Sequence, residues 1–174
     1  MGSAVSKVIK VSLNPRSINK AIREIENYKK WLHDKTQEFL HRLAEIGCNM
    51  ASIYFSIAVY DGTNDVKCEI KEMGDNLVAV VATGNATLFI EFGTGVLFPD
   101  NHPENSFERG GYGAGRGSNP DGWHYRGDPG TFGEVGKSGW VHTYGNPANM
   151  SMYQAIRDVE RVFTEIAREV FVYD

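Results

Sequence analysis

Three histidines in the second half of the chain, His102, His124 and His142, have side chains that could bind a metal ion. Zinc sites usually include at least one pair of ligands close together in sequence, because one turn or helix then presents both to the ion. No two of these histidines lie one helical turn apart, and the two cysteines, Cys48 and Cys68, lie in a different part of the chain. The spacing therefore does not favour a metal centre, and we expect no cofactor.

Residues 110–117 are rich in glycine, as phosphate-binding loops are. Such a loop needs a strand before it and a helix directly after it, and the pattern here provides neither. The neighbouring Arg109 and Tyr112 are residue types that stack on the bases of single-stranded nucleic acids. Acidic residues offset the basic ones in this region, so the composition does not favour nucleic-acid recognition: Glu104, Glu108, Asp121, Asp128 and Glu134.

Glu91 is an acid within an otherwise apolar segment, residues 86–92, and such a carboxylate could act in acid–base catalysis. No second acid or histidine stands at a spacing that would make a catalytic pair, and no nucleophile motif is present. We expect instead that Glu91 pairs with an arginine or accepts hydrogen bonds from the backbone amides of residues 93–95. Either contact would fix how the chain leaves the sheet, and we predict that the protein is not an enzyme.

The length and composition of the chain suit a single domain, residues 1–174, that carries a long loop insertion, residues 96–146. Hydrophobic residues make up 41% of the 174, which is enough for a modest core. The net charge of -4 gives no general attraction for nucleic acid. Residues 1–10 lack the apolar centre of a signal peptide, and no apolar run is long enough for a membrane span. We expect synthesis in a cytoplasm, with both cysteines reduced.

Hydrophobic periodicity predicts an α+β fold with a long helix near the N-terminus. Alternation over residues 6–13 indicates a short strand, and Asn14 and Pro15 make a good helix start before a helix that ends near Gly47. Apolar residues in this helix recur at spacings of three, four or seven: Ile18, Ile22, Ile25, Tyr28, Leu32, Phe39, Leu43 and Ile46. A helix of this length exceeds what a small domain needs, so part of it should project toward a neighbouring subunit.

A small antiparallel sheet of three to four strands should follow the helix. The predicted strands are residues 53–60, 66–73 and 77–83, joined by short turns. Residues 86–92 could form a short helix or a fourth strand. Residues 96–146 have no sustained period, hold about a dozen of the 19 glycines and contain many aromatic residues, which predicts a loop that orders against a partner. A second amphipathic helix should span residues 147–172 and pack beside the first.

A short signature stands between the predicted sheet and the long loop. It consists of an apolar pair, a glutamate, an aromatic residue and a Gly-Thr step: Phe89, Ile90, Glu91, Phe92, Gly93, Thr94 and Gly95. This segment resembles the signature of the tail-completion proteins of long-tailed bacteriophages, also called neck or head–tail joining proteins. In that family a loop leads from the signature to a C-terminal helix that Pro-Ala introduces, matched here by Pro147 and Ala148. The loop resembles a longer variant from phages of Gram-positive hosts, whereas compact members lack most of it.

The resemblance implies a structural virion protein that forms a ring, expected to be a hexamer, in the neck of the particle after assembly in the host cytoplasm. Its partners would be further copies of itself, the head-closure or connector proteins, and the tail terminator or tail tube. Phage DNA would pass through the lumen without sequence-specific binding, and no membrane would be involved. Residues 91–94 would set the exit of the loop. Large aromatic residues dominate interface energies, and the candidate contacts are Tyr112, Trp123, Tyr125 and Trp140.

Other functions fit parts of the same pattern. A tail terminator or a head-closure subunit would have a similar small fold. A metal-dependent hydrolase could use the loop histidines with Glu91, and a nucleic-acid-binding protein could use residues 109–116. Elemental analysis and retention on short single-stranded DNA separate the last two from a structural role.

Overall fold

The structure is a computed structural model, and it confirms the α+β class. It describes residues 8–58, 60, 62–95, 123–127, 134–136, 138–143, 145, 146 and 148–172. Three helices and seven strands follow one another in this part of the chain: α1 (Pro15–Ser56), β1 (Lys67–Gly74), β2 (Leu77–Thr83), α2 (Thr87–Phe92), β3 (Thr94–Gly95), β4 (Trp123–Tyr125), β5 (Glu134–Val135), β6 (Val141–Thr143), β7 (Gly145–Asn146) and α3 (Ser151–Val170).

Helix α1 has 42 residues and is about 63 Å long at 1.5 Å per residue. It begins as the sequence predicts: the Asn14 side chain accepts a hydrogen bond of 2.9 Å from the Ser17 amide, and Pro15 occupies the first turn. Its buried face in the second half is built mainly from small residues flanked by two phenylalanines: Phe39, Ala44, Gly47, Ala51 and Phe55. The small side chains let other elements approach α1 closely.

Two predicted strands are wrong. Residues 8–13 are not a strand, and residues 53–56 are the last turn of α1, which runs nine residues past Gly47. The β-branched and aromatic residues of this segment favour a strand locally. Tertiary packing outweighs that preference, because the helical spacing places Ala51 and Phe55 together in a core cluster with Ile90 and Ala155.

The two other predicted strands form a hairpin, β1 and β2, with antiparallel pairing from Lys67 and Thr83 to Gly74 and Leu77. Of the three strands predicted at residues 53–83, only the last two form, and they make a two-stranded sheet that packs on α1. His41 on α1 lies 3.4 Å from Glu72 near the tip of the hairpin. The hairpin thus covers only the second half of α1.

Helix α3 packs antiparallel along the same half of α1. Tyr54 near the end of α1 contacts Asp158, whereas Phe39 contacts Phe163 and Phe171, with ring centroids 5.1 and 5.5 Å apart. The predicted start at residue 147 lies four residues before the observed start at Ser151. Ala148 precedes α3 and is buried, and Pro147 lies outside the described residues.

The long loop contains strands that its composition did not predict. Strands β4, β6 and β5 form a three-stranded antiparallel sheet, and β3 pairs with β7. Each is only two or three residues long, which is too short to produce a recognisable period.

Candidate functional site at the base of the long loop

Helix α2 contains the first four residues of the signature and has one buried and one exposed face. Ile90 and Glu91 are 0% and 4% exposed, whereas Leu88 and Phe89 are 67% and 48% exposed. Ile90 belongs to the core cluster between α1 and α3. The buried pair therefore anchors α2, and the two preceding apolar residues present a surface to solvent.

The Glu91 carboxylate caps the N-terminus of α3. Its two oxygens accept hydrogen bonds from the backbone amides of Met152, at 2.8 Å, and Tyr153, at 3.1 Å. The residue before the helix, Met150, is in the left-handed conformation at φ 54° and provides no side-chain cap. Free amides at a helix start need an acceptor, and the helix dipole favours a negative charge there. The Glu91 carboxylate, which lies on α2, provides both the acceptor and the negative charge at the start of α3.

Backbone hydrogen bonds hold the same junction. The Asn149 amide donates to the Ile90 carbonyl at 2.8 Å, and the Met150 amide donates to the Glu91 carbonyl at 3.2 Å. The Asn149 side chain donates to the Tyr54 carbonyl at 2.9 Å and to Ser151 Oγ at 2.7 Å. Asn149 therefore joins the end of α2, the last turn of α1 and the start of α3.

Asp65 holds the turn that leads into α2. Its carboxylate accepts hydrogen bonds of 2.9 Å from the amides of Asn85 and Ala86, and one of 3.0 Å from the Asn85 side chain. These hydrogen bonds, that from Ala86 first, hold the pKa of Asp65 below its usual value. The adjacent Asn64 donates to the Phe55 carbonyl at 2.7 Å and so caps α1.

Tyr54 ties α1 to α3 beside this junction. Its hydroxyl donates to Asp158 at 2.5 Å, and this hydrogen bond raises the pKa of Tyr54. Asp158 also accepts a hydrogen bond of 2.6 Å from Arg161. We call the residues that join the three helix ends the capping junction: Tyr54, Asn64, Asp65, Glu91, Asn149 and Asp158.

The long loop leaves and returns next to the capping junction. Gly93 directly follows α2 with φ 72° and ψ 169°, a conformation that favours glycine. Thr94 then pairs with Asn146, and Gly95 pairs with Gly145. The two ends of the loop are thus joined by a short antiparallel ladder, so the signature lies where the loop meets the helices.

The aromatic residues predicted as interface contacts are only partly described. Trp140 is 40% exposed, and the Arg126 guanidinium lies 4.9 Å from its ring centroid. Tyr125 is half-buried in β4. Trp123 also lies in β4, but its side chain and the whole of Tyr112 are outside the described residues.

Two of the three loop histidines lie side by side. His124 and His142 pair across β4 and β6, with ring centroids 4.7 Å apart, and Glu134 is the partner of His142 on β5. His102 is outside the described residues. Within the described part of the chain, no three His, Cys, Asp or Glu side chains are placed to hold one metal ion. Cys48 and Cys68 are free thiols.

The contacts of Glu91 are compatible with its predicted role in fixing local geometry. Its carboxylate accepts a hydrogen bond from the amide of Met152 at the start of α3, 61 residues further along the chain, a partner that the sequence does not indicate. Asn64, Asp65 and Asn149 were not singled out from the sequence. Asn and Asp are typical capping residues, but these contacts join groups that are 9, 21 and 95 residues apart in sequence, which no local motif reveals.

No described helix is both long and apolar enough to span a membrane. Comparisons with protein-family models, with curated proteins and with solved structures give no match for this chain.

Proposed function

We propose that this chain is a structural virion protein of a phage neck, which forms a ring between the head-closure proteins and the tail tube or terminator. In this role it completes the tail, joins it to the head, and lets DNA pass through the lumen. The observation that carries the proposal is the position of the signature, residues 89–95. It stands between the hairpin and the C-terminal helix, in the order typical of the tail-completion family.

The chemistry of the signature supports a structural role for it. The Glu91 carboxylate is buried and engaged with two backbone amides of α3. A carboxylate used in this way stabilises a helix start and fixes the base of the loop. These contacts give Glu91 a structural role, although its sequence context suggested acid–base catalysis.

The exposed apolar side chains around the loop base support assembly with other proteins. Leu88 and Phe89 on α2, Val135 on β5 and Trp140 before β6 are all at least 40% exposed. Apolar and aromatic residues in such numbers on a surface favour protein–protein contacts. Neighbouring subunits of a ring, or the virion proteins above and below it, are the partners that we propose.

The charge of the chain suits a DNA channel. A subunit with a net charge of -4 repels the phosphate backbone, so DNA can slide through a ring without adhering. This property also favours a channel over a nucleic-acid-binding site.

The proposal is tested by electron microscopy of particles assembled in a host that carries the phage with this gene deleted. We expect DNA-filled heads and finished tails that do not join stably, and restored particles when the gene is supplied separately. Infectious particles that form normally without the protein would contradict the proposal.

Mass spectrometry of isolated heads and tails distinguishes the neighbouring positions in the neck. A tail-completion protein should remain with the tails. Its presence on tail-less heads would favour the head-closure alternative, and overlong tails in its absence would favour a terminator.

A further inference from the structure

The first half of α1 is an exposed amphipathic segment. Residues 15–35, which we call the arm, precede the region that α3 and the hairpin cover, and they are about 30 Å long. Four large aliphatic side chains on the arm are 40–48% exposed: Ile18, Ile22, Ile25 and Leu32. Their spacing of four, three and seven residues places them along one stripe of the helix.

The second half of the molecule contains an apolar groove. It lies between α1, β2 and α3, with a volume of about 640 Å³. Its floor is Gly47, where an added Cβ would lie 3.3 Å from Val159 and 3.5 Å from Val80. Its walls include Ile156 and Phe163, which are 55% and 48% exposed. Glu160 is the one charged residue among those that line it.

We propose that the arm of one copy of this chain binds in the groove of the next copy. An amphipathic helix that places an apolar stripe in an apolar groove is a common mode of protein recognition. The lengths agree, because the stripe from Ile18 to Leu32 and the α3 wall from Met152 to Phe163 extend roughly 21 and 17 Å at 1.5 Å per residue.

The charges of the two surfaces are complementary. The arm contains six basic and three acidic residues, a net charge of +3. Three segments form the groove: residues 36–56 of α1, residues 67–83 of the hairpin, and α3. Each has one more acidic than basic residue, which gives -3 together. Opposite charges favour this association and orient the partners as they meet.

Two features of the described residues argue against simpler arrangements. The arm and one wall of the groove belong to a single continuous helix, so an arm cannot enter its own groove. Two arms paired with each other would bring two charges of +3 together. The groove of another copy therefore suits the arm better than a second arm does.

This contact joins two different surfaces, so successive copies bind head to tail and can close into a ring. Only the expectation that the copies close into a ring rests on the proposed function. The contact itself can be measured on the purified protein, independently of whether the gene is needed for head–tail joining. A failure of one proposal is thus distinguishable from a failure of the other.

The test uses three variants of the full chain, each changed at exposed positions so that the fold is retained. The arm variant is Ile22→Glu with Ile25→Glu, and the groove variant is Ile156→Lys, which also repels the basic arm. The control is Ile53→Glu, on the same helix and 50% exposed, outside both surfaces. Circular dichroism checks folding, and analytical ultracentrifugation measures association.

We expect the wild-type protein and the control to self-associate alike. The arm and groove variants should each associate at least about 100-fold more weakly, since each places a charge in an apolar contact. An equimolar mixture of these two variants should form a 1:1 dimer with near wild-type affinity, because it retains one intact arm and one intact groove. A monomeric wild-type protein, a groove variant that associates normally, or a mixture that stays monomeric would each overturn the inference.

Discussion

Glu91 and Asp65 are acids whose carboxylates accept backbone amides from remote segments of the chain. Glu91 lies in α2 and caps α3, while Asp65 precedes β1 and accepts hydrogen bonds from the amides of the two residues before α2. Both helices lack a side-chain cap of their own. The two carboxylates therefore connect the hairpin, the loop base and the C-terminal helix through hydrogen bonds rather than through apolar contacts alone.

Replacement of Glu91 by alanine should lower the free energy of unfolding by about 3 kcal/mol, because two helix amides lose a charged acceptor in a buried site. Glu91→Gln keeps one acceptor oxygen and should cost about half as much. Urea denaturation followed by circular dichroism measures both changes.

Glu45→Gln is the matched control, because Glu45 is an exposed glutamate in the middle of α1. This substitution should change the free energy of unfolding by less than about 0.5 kcal/mol. An equal effect of the glutamine substitutions at positions 45 and 91 would contradict the capping role.

Asp65 should make stability depend on pH at the acid end. Its pKa is lowered in the folded protein, so its contribution to stability is complete above the unfolded value of about 3.9 and is lost as pH falls toward the folded value. Asp65→Asn should therefore destabilise the protein most at neutral pH. Urea midpoints at pH 7, 5, 4 and 3 should converge for the two proteins as pH falls, and a constant difference would contradict the assignment.

The sequence predicts the elements that have a long hydrophobic period and misses those that remote contacts determine. The two long helices, the β1–β2 hairpin and the alternative of a short helix at residues 86–92 follow from periodicity and turn residues. The end of α1 does not, because Asn64 and Asn149 cap it from outside and its core partner Ile90 lies far along the chain. The start of α3 was placed too early for the same reason: Glu91 fixes it.

Packing between α1 and α3 should depend strongly on Phe39. This side chain is 9% exposed and meets both Phe163 and Phe171 near the end of α3. Phe39→Ala should lower the free energy of unfolding by about 3 kcal/mol, because it leaves a cavity, whereas Phe39→Leu should cost about 1 kcal/mol. Thermal unfolding in parallel with urea denaturation measures the difference, and equal losses would show that Phe39 is not packed as described.

The arm should be the least stable part of α1 in a free subunit. Helix stability in proteins comes mainly from tertiary packing, and the large aliphatic residues of the arm are 40–48% exposed. Hydrogen exchange on the monomeric arm variant should be faster at residues 18–33 than at residues 39–55. In the assembled wild-type protein the arm should become protected, and an arm that exchanges equally fast in both would argue against its burial in an interface.

The subunit has a compact end attached to a long basic arm. The compact end contains the hairpin, α3, the second half of α1 and the base of the loop, and its three groove-forming segments are acidic. Such a subunit has different surfaces at its two ends, as a head-to-tail ring requires. The sequence revealed the long helix and the net charge, whereas the groove could be recognised only once α1, β2 and α3 had been placed together.

The acidic character of the chain predicts weak interaction with DNA in solution. We expect no salt-dependent retention of the purified protein on short single-stranded DNA at low ionic strength. Retention that weakens steeply with added salt would instead favour a nucleic-acid-binding function for the basic residues of the loop or the arm.

We propose that this chain is a stoichiometric part of the neck, and quantitative mass spectrometry with cross-linking of purified virions measures this. We expect a copy number equal to that of a single hexameric ring, with cross-links from the chain to itself, to a head-closure protein and to a tail protein. Virions that lack the chain, or that contain it without cross-links to the head–tail junction, would contradict the account.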